Sequence, residues 1–178
     1  MDKIIETDRL ILRELTLSDT ADLFKILSDK ETMKHYPRPY TKEETKEWIG
    51  RSIKSYKNFG YGLWAVTLKK TDQFIGQCGI SDQNIDGEKV LEIGYHINKN
   101  FQNNGFATEA SRACLNYGFT KLGFDEIFIH TYIKNFPSVR VAQKIGMMKR
   151  KEYEKTIQKD NVVMKHVVYS LRKNESSA

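Results

Sequence analysis

The sequence predicts an α+β domain, with a mixed central sheet of about seven strands flanked by about four helices. Three observations carry this. The chain has 178 residues, the usual size of one domain, and a chain that long buries roughly 70% of its unfolded surface without disulfide staples. Period-two alternation and helical stripes follow one another in the order β-α-α-β-β-β-α-β-α-β-β. One long helical stripe lies between two strand patterns near the middle, which asks for a central parallel crossover in the sheet.

Residues Thr7 to Arg13 (TDRLILR) set Leu10 and Leu12 against charged neighbours and read as the first strand. Ser18 is placed to cap a helix that carries Leu23, Phe24 and Leu27 on one face. In His35-Tyr36-Pro37-Arg38-Pro39-Tyr40, prolines one residue apart exclude a helix interior and give a stiff, extended loop. Thr41 and Glu44 make a capping-box pattern for a second helix, with Trp48, Ile49, Ile53 and Tyr56 inward. Gly60 and Gly62 punctuate the change to strands. Tyr61–Leu68 and Gln73–Ser81 form a hairpin around Lys70-Thr71-Asp72, and Asp86-Gly87 turns into Val90–Ile97.

A loop Asn98–Gly105 then opens a helix from Ala107 to Leu122, striped by Ala107, Ala110, Cys114, Leu115, Gly118, Phe119 and Leu122. Strand Glu126–Ile133 and a short helix Ser138–Ile145, stopped by Gly146, come next. Strands Met148–Tyr153 and Val162–Leu171, joined by Lys159-Asp160-Asn161, complete one domain over 1–173. Residues 174–178 are expected to be a disordered tail, and the glycosylation sequon at Asn174 would matter only on a secretory route.

Hydrophobic residues make up 39% of the chain and charged residues 29%, the balance of a water-soluble globule rather than a disordered or membrane-embedded chain. No apolar run approaches the ~18 residues of a membrane span. The start Met1-Asp2-Lys3 lacks the apolar core of a signal peptide, so a cytoplasmic address is expected. Cys78 and Cys114 do not make a disulfide framework in a chain this size. Lys and Arg outnumber Asp and Glu by 29 to 23, a net charge of +6, with a pI near 9.2. That suits a polyanionic partner, such as nucleic acid, a membrane surface or a phosphorylated cofactor. The positive residues are scattered in small knots such as Lys149-Arg150-Lys151, which disfavours nucleic acid as the first choice.

The most informative segment is Gln102-Asn103-Asn104-Gly105-Phe106-Ala107-Thr108, between a strand and a helix. A helix start offers unpaired N–H groups and the positive end of the helix dipole, and Gly105 lets an anion approach the main chain. The dinucleotide fingerprint would need further glycines, and a Walker loop would need Gly-Lys-Ser/Thr; neither pattern is present. QNNGFATEA resembles the Q/R-x-x-G-x-G/A coenzyme A pyrophosphate loop of the GNAT N-acetyltransferase superfamily. ETDRLILREL, LSDKETMKHY, PRPYTKEE, GLWAV, FIGQCGI, EIGYHI and NFPSVRVAQKIGM are similar to its RimJ/RimL-type branch, in the right order from Glu6 to Leu171.

The resemblance implies a GNAT fold, acetyl-CoA as donor and direct transfer to a primary amine, either a protein N-terminus or a small molecule. It implies that the amides of Gln102, Asn103, Asn104, Gly105, Phe106, Ala107 and Thr108 hold the pyrophosphate. The pantetheine would lie between strands Leu91–Ile97 and Glu126–Ile133, pairing with main-chain groups of Tyr95, His96 and Ile97, with Asn135 touching the cofactor. Glu92 stands where the superfamily often keeps a general base. Glu92, Gly94 and His96 share one strand face, so His96 is a second basic candidate. The tyrosine that many members use as general acid falls at Ala142, and Ser138 is the expected substitute near the sulfur. Ser138 also follows Pro137 at a helix start, where serine is a good cap.

Substrate selection is expected from His35, Tyr36 and Arg38 in the proline loop, the helix after it, and Trp64 with Tyr61 on the next strand; aromatic rings can sandwich an amine and Arg38 can meet a carboxylate or phosphate. Cys114 and Cys78 read as core thiols. His35, His96, His130 and His166 have no partner at metal-ligand spacing, so no metal is expected. Monomer and homodimer stay open. The alternative function is a coenzyme A-binding regulatory module with weak catalysis, suggested by Ala142; a basic ribosome-surface binder rests on charge alone.

Overall fold

The computed structural model describes residues 3–157 and 162–175. Its strands are β1 (Lys3–Glu6), β2 (Leu10–Glu14), β3 (Leu63–Leu68), β4 (Phe74–Ile85), β5 (Glu88–Ile97), β6 (Glu126–Tyr132), β7 (Met148–Ile157) and β8 (Val162–Arg172). The helices are α1 (Thr20–Leu27), α2 (Lys42–Phe59), α3 (Phe106–Thr120) and α4 (Phe136–Lys144). The expected turn Lys159-Asp160-Asn161 lies outside the described residues.

One eight-stranded sheet runs in the order β1-β2-β3-β4-β5-β6-β8-β7. The strand beyond the expected seven is β1, whose KIIE has no alternation for the sequence to reveal. It forms because β2 offers an edge, pairing Ile5 with Leu12, and because Ile4 and Ile5 pack on the core. All neighbours are antiparallel except β5 and β6, which touch through a single parallel pair, Glu92 opposite Phe128. β5 stays bonded to β4 out to Ile97, and β6 to β8 out to Tyr132. Beyond Glu92 and Phe128 the two halves of the sheet therefore part, and a wedge opens toward the C-terminal ends of β5 and β6.

Strand alternation sorts the core onto two faces. Leu63 and Ala65 of β3 join Leu15, Leu23, Leu27, Met33 and Ile49 under α1 and α2. Trp64 and Val66 turn the other way, into the larger cluster with Cys114, Leu115 and Phe119 of α3. There α3 comes very close to the sheet: a Cβ on Gly118 would stand 2.4 Å from Ile127 Cδ1, so any larger residue would make that side chain move.

The capping box at α2 forms as expected, with Glu44 N–H donating to Thr41 Oγ1 at 3.1 Å and Thr41 N–H to Glu44 Oε2 at 3.0 Å. The cap expected at Ser18 does not. Thr16 instead opens a 3-10 turn, Leu17–Asp19, and its N–H donates to Asp19 Oδ2 at 2.8 Å. Arg13 holds the same carboxylate at 2.7 Å, a partner from β2 that outcompetes the local serine. At the far end, Lys173–Glu175 form a 3-10 turn, and Glu175 accepts from Arg150 at 2.7 Å and from the Arg172 N–H at 3.0 Å. Structure thus runs two residues into the expected tail; 176–178 lie outside the described residues.

Candidate active site

A cleft of ≈ 1100 Å³ follows the wedge from the loop after β5 to the strands β7 and β8. At its mouth the chain turns sharply. Asn98 Oδ1 accepts from the Asn100 N–H at 3.0 Å, Gln102 Nε2 donates to Ile97 O at 2.9 Å, and Asn104 Nδ2 donates to Gln102 O at 2.9 Å. Asn103 (φ 62°) and Gly105 (φ 80°) are left-handed, and Gly105 is the N-cap of α3. The Gln102 N–H, expected to join the cradle, already donates to Lys99 O at 3.3 Å, whereas among the described residues the main-chain N–H groups of Asn103 to Thr108 donate to no protein oxygen. They meet the positive end of α3, the arrangement that binds phosphates.

Arg9, between β1 and β2, clasps this loop. Its guanidinium donates to Asn104 O at 3.1 Å and to Glu109 Oε2 at 2.6 Å, and lies 4.4 Å over the Phe106 ring. Burial alone would raise the Glu109 carboxyl pKa; hydrogen bonds from Thr7 and Arg9 outweigh it and lower it. An acid in the first turn of α3 would repel an anion, and Arg9 neutralises it. Sequence reasoning placed Arg9 on a strand and missed this role, because its partner is 100 residues away.

One wall of the wedge carries Tyr95 and Ser138. Their hydroxyls are 2.8 Å apart. Burial raises the Tyr95 phenol pKa, so it keeps its proton. The cap of α4 is Asn135, not Ser138: Asn135 Oδ1 accepts the Ser138 N–H at 3.3 Å, and the helix begins at Phe136. Ser138 is thereby released from capping, and Asn135 and Ser138 both line the cleft. Ala142 is fully buried in the core.

On the opposite face, Gly94 and His96 turn toward α2; a Cβ on Gly94 would meet Leu63 at 3.5 Å. Trp48 Nε1–H donates to Gln77 Oε1 at 3.0 Å, and Gln77 faces His96 Nδ1 at 3.0 Å. An indole is only a donor, so the Gln77 oxygen faces Trp48 and its NH₂ faces His96. His96 Nδ1 must then accept, and its proton sits on Nε2, which is buried without a partner among the described residues. Burial depresses this imidazole to about 4. His96 thus lines the cleft as a neutral imidazole with its proton on a buried Nε2, and a depressed pKa makes it a weaker base than the expectation of a second basic candidate supposed.

Glu92 sits at the closed end of the wedge and is 8% exposed. Its Oε1 accepts the His130 main-chain N–H at 3.3 Å and lies 2.8 Å from His130 Nδ1. The latter approach is oblique to the ring, an ion-pair contact rather than an aligned hydrogen bond. His130 in turn meets Lys155 Nζ at 3.0 Å, and its ring packs 5.4 Å from His166 and 6.2 Å from Tyr153. Burial lowers His166 to about 4 and raises Tyr153 to about 12. The strand pattern of β6 placed His130 correctly, but nothing local in the sequence pairs it with Glu92.

The two depressed imidazoles, His96 and His166, make a stability prediction. Each has a lower pKa folded than unfolded, so the unfolded chain binds the extra protons. Their contribution is complete above the ordinary 6.5 and is lost as pH falls from there toward 4. Urea unfolding midpoints should fall across that window, and His166→Gln should flatten the fall; unchanged slopes would contradict the burial.

Of the residues expected to select substrate, His35 and Tyr36 line the cleft, with the Tyr36 ring 5.2 Å from His96. Arg38 also lines it, but its fork is held by Glu44 through two bonds of 2.8 Å, so the carboxylate contact expected of it is already made within the chain. Trp64 is a correction. It is 1% exposed and packs edge-on against Tyr117, because alternation turns it toward α3. Trp64→Ala should cost about 3–5 kcal/mol in unfolding free energy, with KM of the folded fraction unchanged. Cys78 and Cys114 are buried, their sulfurs 3.6 Å apart in the core. Among the described residues no three His, Cys, Asp or Glu side chains could hold a metal ion.

Comparison with known proteins agrees with this geometry. Residues 9–148 match the family model of the GNAT acetyltransferase domain. The chain is 41% identical over 156 residues to the uncharacterized protein YkkB of Bacillus subtilis, covering 87% of this chain and 88% of that one. It superposes on the crystal structure of a GNAT-family acetyltransferase from Bacillus anthracis with a TM-score of 0.80 and 30% identity, covering 96% of this chain and 99% of that one. RimL, a ribosomal L7/L12 α-N-protein acetyltransferase solved in complex with coenzyme A, shares the fold at a TM-score of 0.78 and 17% identity, over 98% and 99% of the two chains. The wedge, the amide cradle at α3 and the match across most of the chain lead to one conclusion: this protein belongs to the GNAT acetyltransferase family.

Proposed function

We propose that the protein transfers acetyl from acetyl-CoA to a primary amine in a ternary complex. The observation that carries this reading is the wedge, which joins an anion cradle at its mouth to Glu92 and His130 at its closed end. The amides of Asn103 to Thr108 would hold the pyrophosphate, with Gln102 and Asn104 bracing the turn. Tyr95, His96 and Ile97 on one side and Asn135 on the other would hold the pantetheine. Acetyl-CoA, when bound, supplies a thioester carbonyl that an uncharged amine can attack.

The chain's own residues then manage protons. An alkyl ammonium with pKa near ~10.4 must first be deprotonated, and the Glu92–His130 pair is placed to take that proton. Ser138, with the Tyr95 phenol behind it, would donate to the departing sulfur. The acceptor would enter between the proline loop, with His35 and Tyr36, and the strands β7 and β8. RimL's named substrate, the N-terminus of a ribosomal protein, makes a protein N-terminal amine one candidate acceptor; a small-molecule amine is the other. The Tyr95–Ser138 pair supports an enzyme over a cofactor-binding module, since it supplies the acid that Ala142 lacks.

The test is thiol release from acetyl-CoA with short peptides, free amino acids, polyamines and aminoglycosides as acceptors. Stimulation by one class is expected; coenzyme A binding with no stimulation by any class would favour the module. Ser138→Ala should slow release by about tenfold, the worth of one hydrogen bond, with coenzyme A affinity unchanged. An unaltered rate would remove Ser138 from the chemistry.

A further inference from the structure

Lys155 enters the acceptor arm of the cleft from β7, and its Nζ lies 3.0 Å from His130 Nε2. When Lys155 is an ammonium it only donates, so Nε2 accepts and the His130 proton lies on Nδ1, the nitrogen beside Glu92. Carboxylate, imidazole and amine thus stand in a row, Glu92 against Nδ1 as an ion-pair contact and the Lys155 nitrogen at Nε2, the order in which a base serves a nucleophile. Among the described residues no carboxylate comes within ion-pair distance of Lys155, unlike Lys149, Lys151 and Lys165 on the same hairpin. Burial lowers the pKa of its ammonium, which favours the uncharged amine. The relay also stands at the right place: His130 is two residues beyond Phe128, where the wedge closes.

We propose that Lys155 is itself an acetyl acceptor, modified by the enzyme's own transfer within one chain. The proposal rests on the acetyl-CoA reading above. Lys155 Nζ gives one proton through His130 to solvent and attacks the thioester carbon. The N–C bond forms, the C–S bond breaks, and the sulfur leaves with the electron pair and takes the amine's second proton. The products are acetyl-Lys155 and free coenzyme A. The modified side chain is uncharged and no longer holds His130 as an ammonium does, so the acetylation state of Lys155 would set how readily the base meets an incoming amine.

The test uses the full chain with acetyl-CoA and no acceptor, digested and read by mass spectrometry, with calorimetry of acetyl-CoA binding on the same sample. Lys155 should gain one acetyl group about a hundredfold faster than the exposed lysines, the gain a positioned base supplies. The rate should not depend on protein concentration, and Glu92→Gln should slow it. Unmodified Lys155 in protein that binds acetyl-CoA would overturn the proposal and leave the donor site standing. Absence of acetyl-CoA binding would overturn both. A second readout needs no donor: the long-range nitrogen spectrum of the free protein should show His130 protonated on Nδ1. An Nε2-protonated ring would refute the relay.

Discussion

Gly105→Glu should abolish coenzyme A binding in calorimetric titration. Two effects combine. Gly105 has φ 80°, a conformation that costs an L-residue about 1–2 kcal/mol. The space is otherwise open, since a Cβ there would meet only Arg9 Nη2 at 3.5 Å. The new carboxylate would reach that guanidinium, compete with Glu109 for it, and place a negative charge among the amides of Asn103 to Thr108. With two carboxylates sharing one guanidinium, a net like charge some 4–5 Å from a phosphate is worth several kcal/mol at the protein surface, so affinity should fall by more than about a hundredfold. Gly105→Ala separates the causes: it carries the backbone strain alone and should lose about tenfold. Normal affinity in the glutamate variant would show that the cradle is not the phosphate site.

The elements were legible where one segment carries its own signal. The α3 stripe, the α2 capping box and the hairpin of β3 and β4 depend on residues within a few positions of each other, and they formed as expected. β1 and the start of α1 were misread because their decisive partners, β2 and Arg13, lie elsewhere in the chain. The cleft divides the same way. The loop from Gln102 to Thr108 is a local motif, so sequence pointed to it directly. Trp64 was misassigned because an aromatic residue on a buried strand looks alike from either face until the helix that covers it is known. Arg9 and His130 act on groups brought near by sheet order, and the tautomer of His96 follows from Trp48 and Gln77 on two other elements. No periodicity encodes such pairings.

Glu92→Gln should lower turnover by about 10²–10³-fold, the range of a lost general base, while acetyl-CoA affinity stays the same. The amide keeps the shape of the carboxylate and can still accept the His130 main-chain N–H, now held at 3.3 Å. What it loses is the negative charge beside His130 Nδ1. His130→Gln tests whether the two side chains act as a unit. If they do, the double variant should be no slower than the worse single one, because removing either member already breaks the relay. Multiplying losses would mean that Glu92 takes the proton by a separate route through water. Unchanged turnover in Glu92→Gln would move the base to solvent and reduce Glu92 to a clamp on β6.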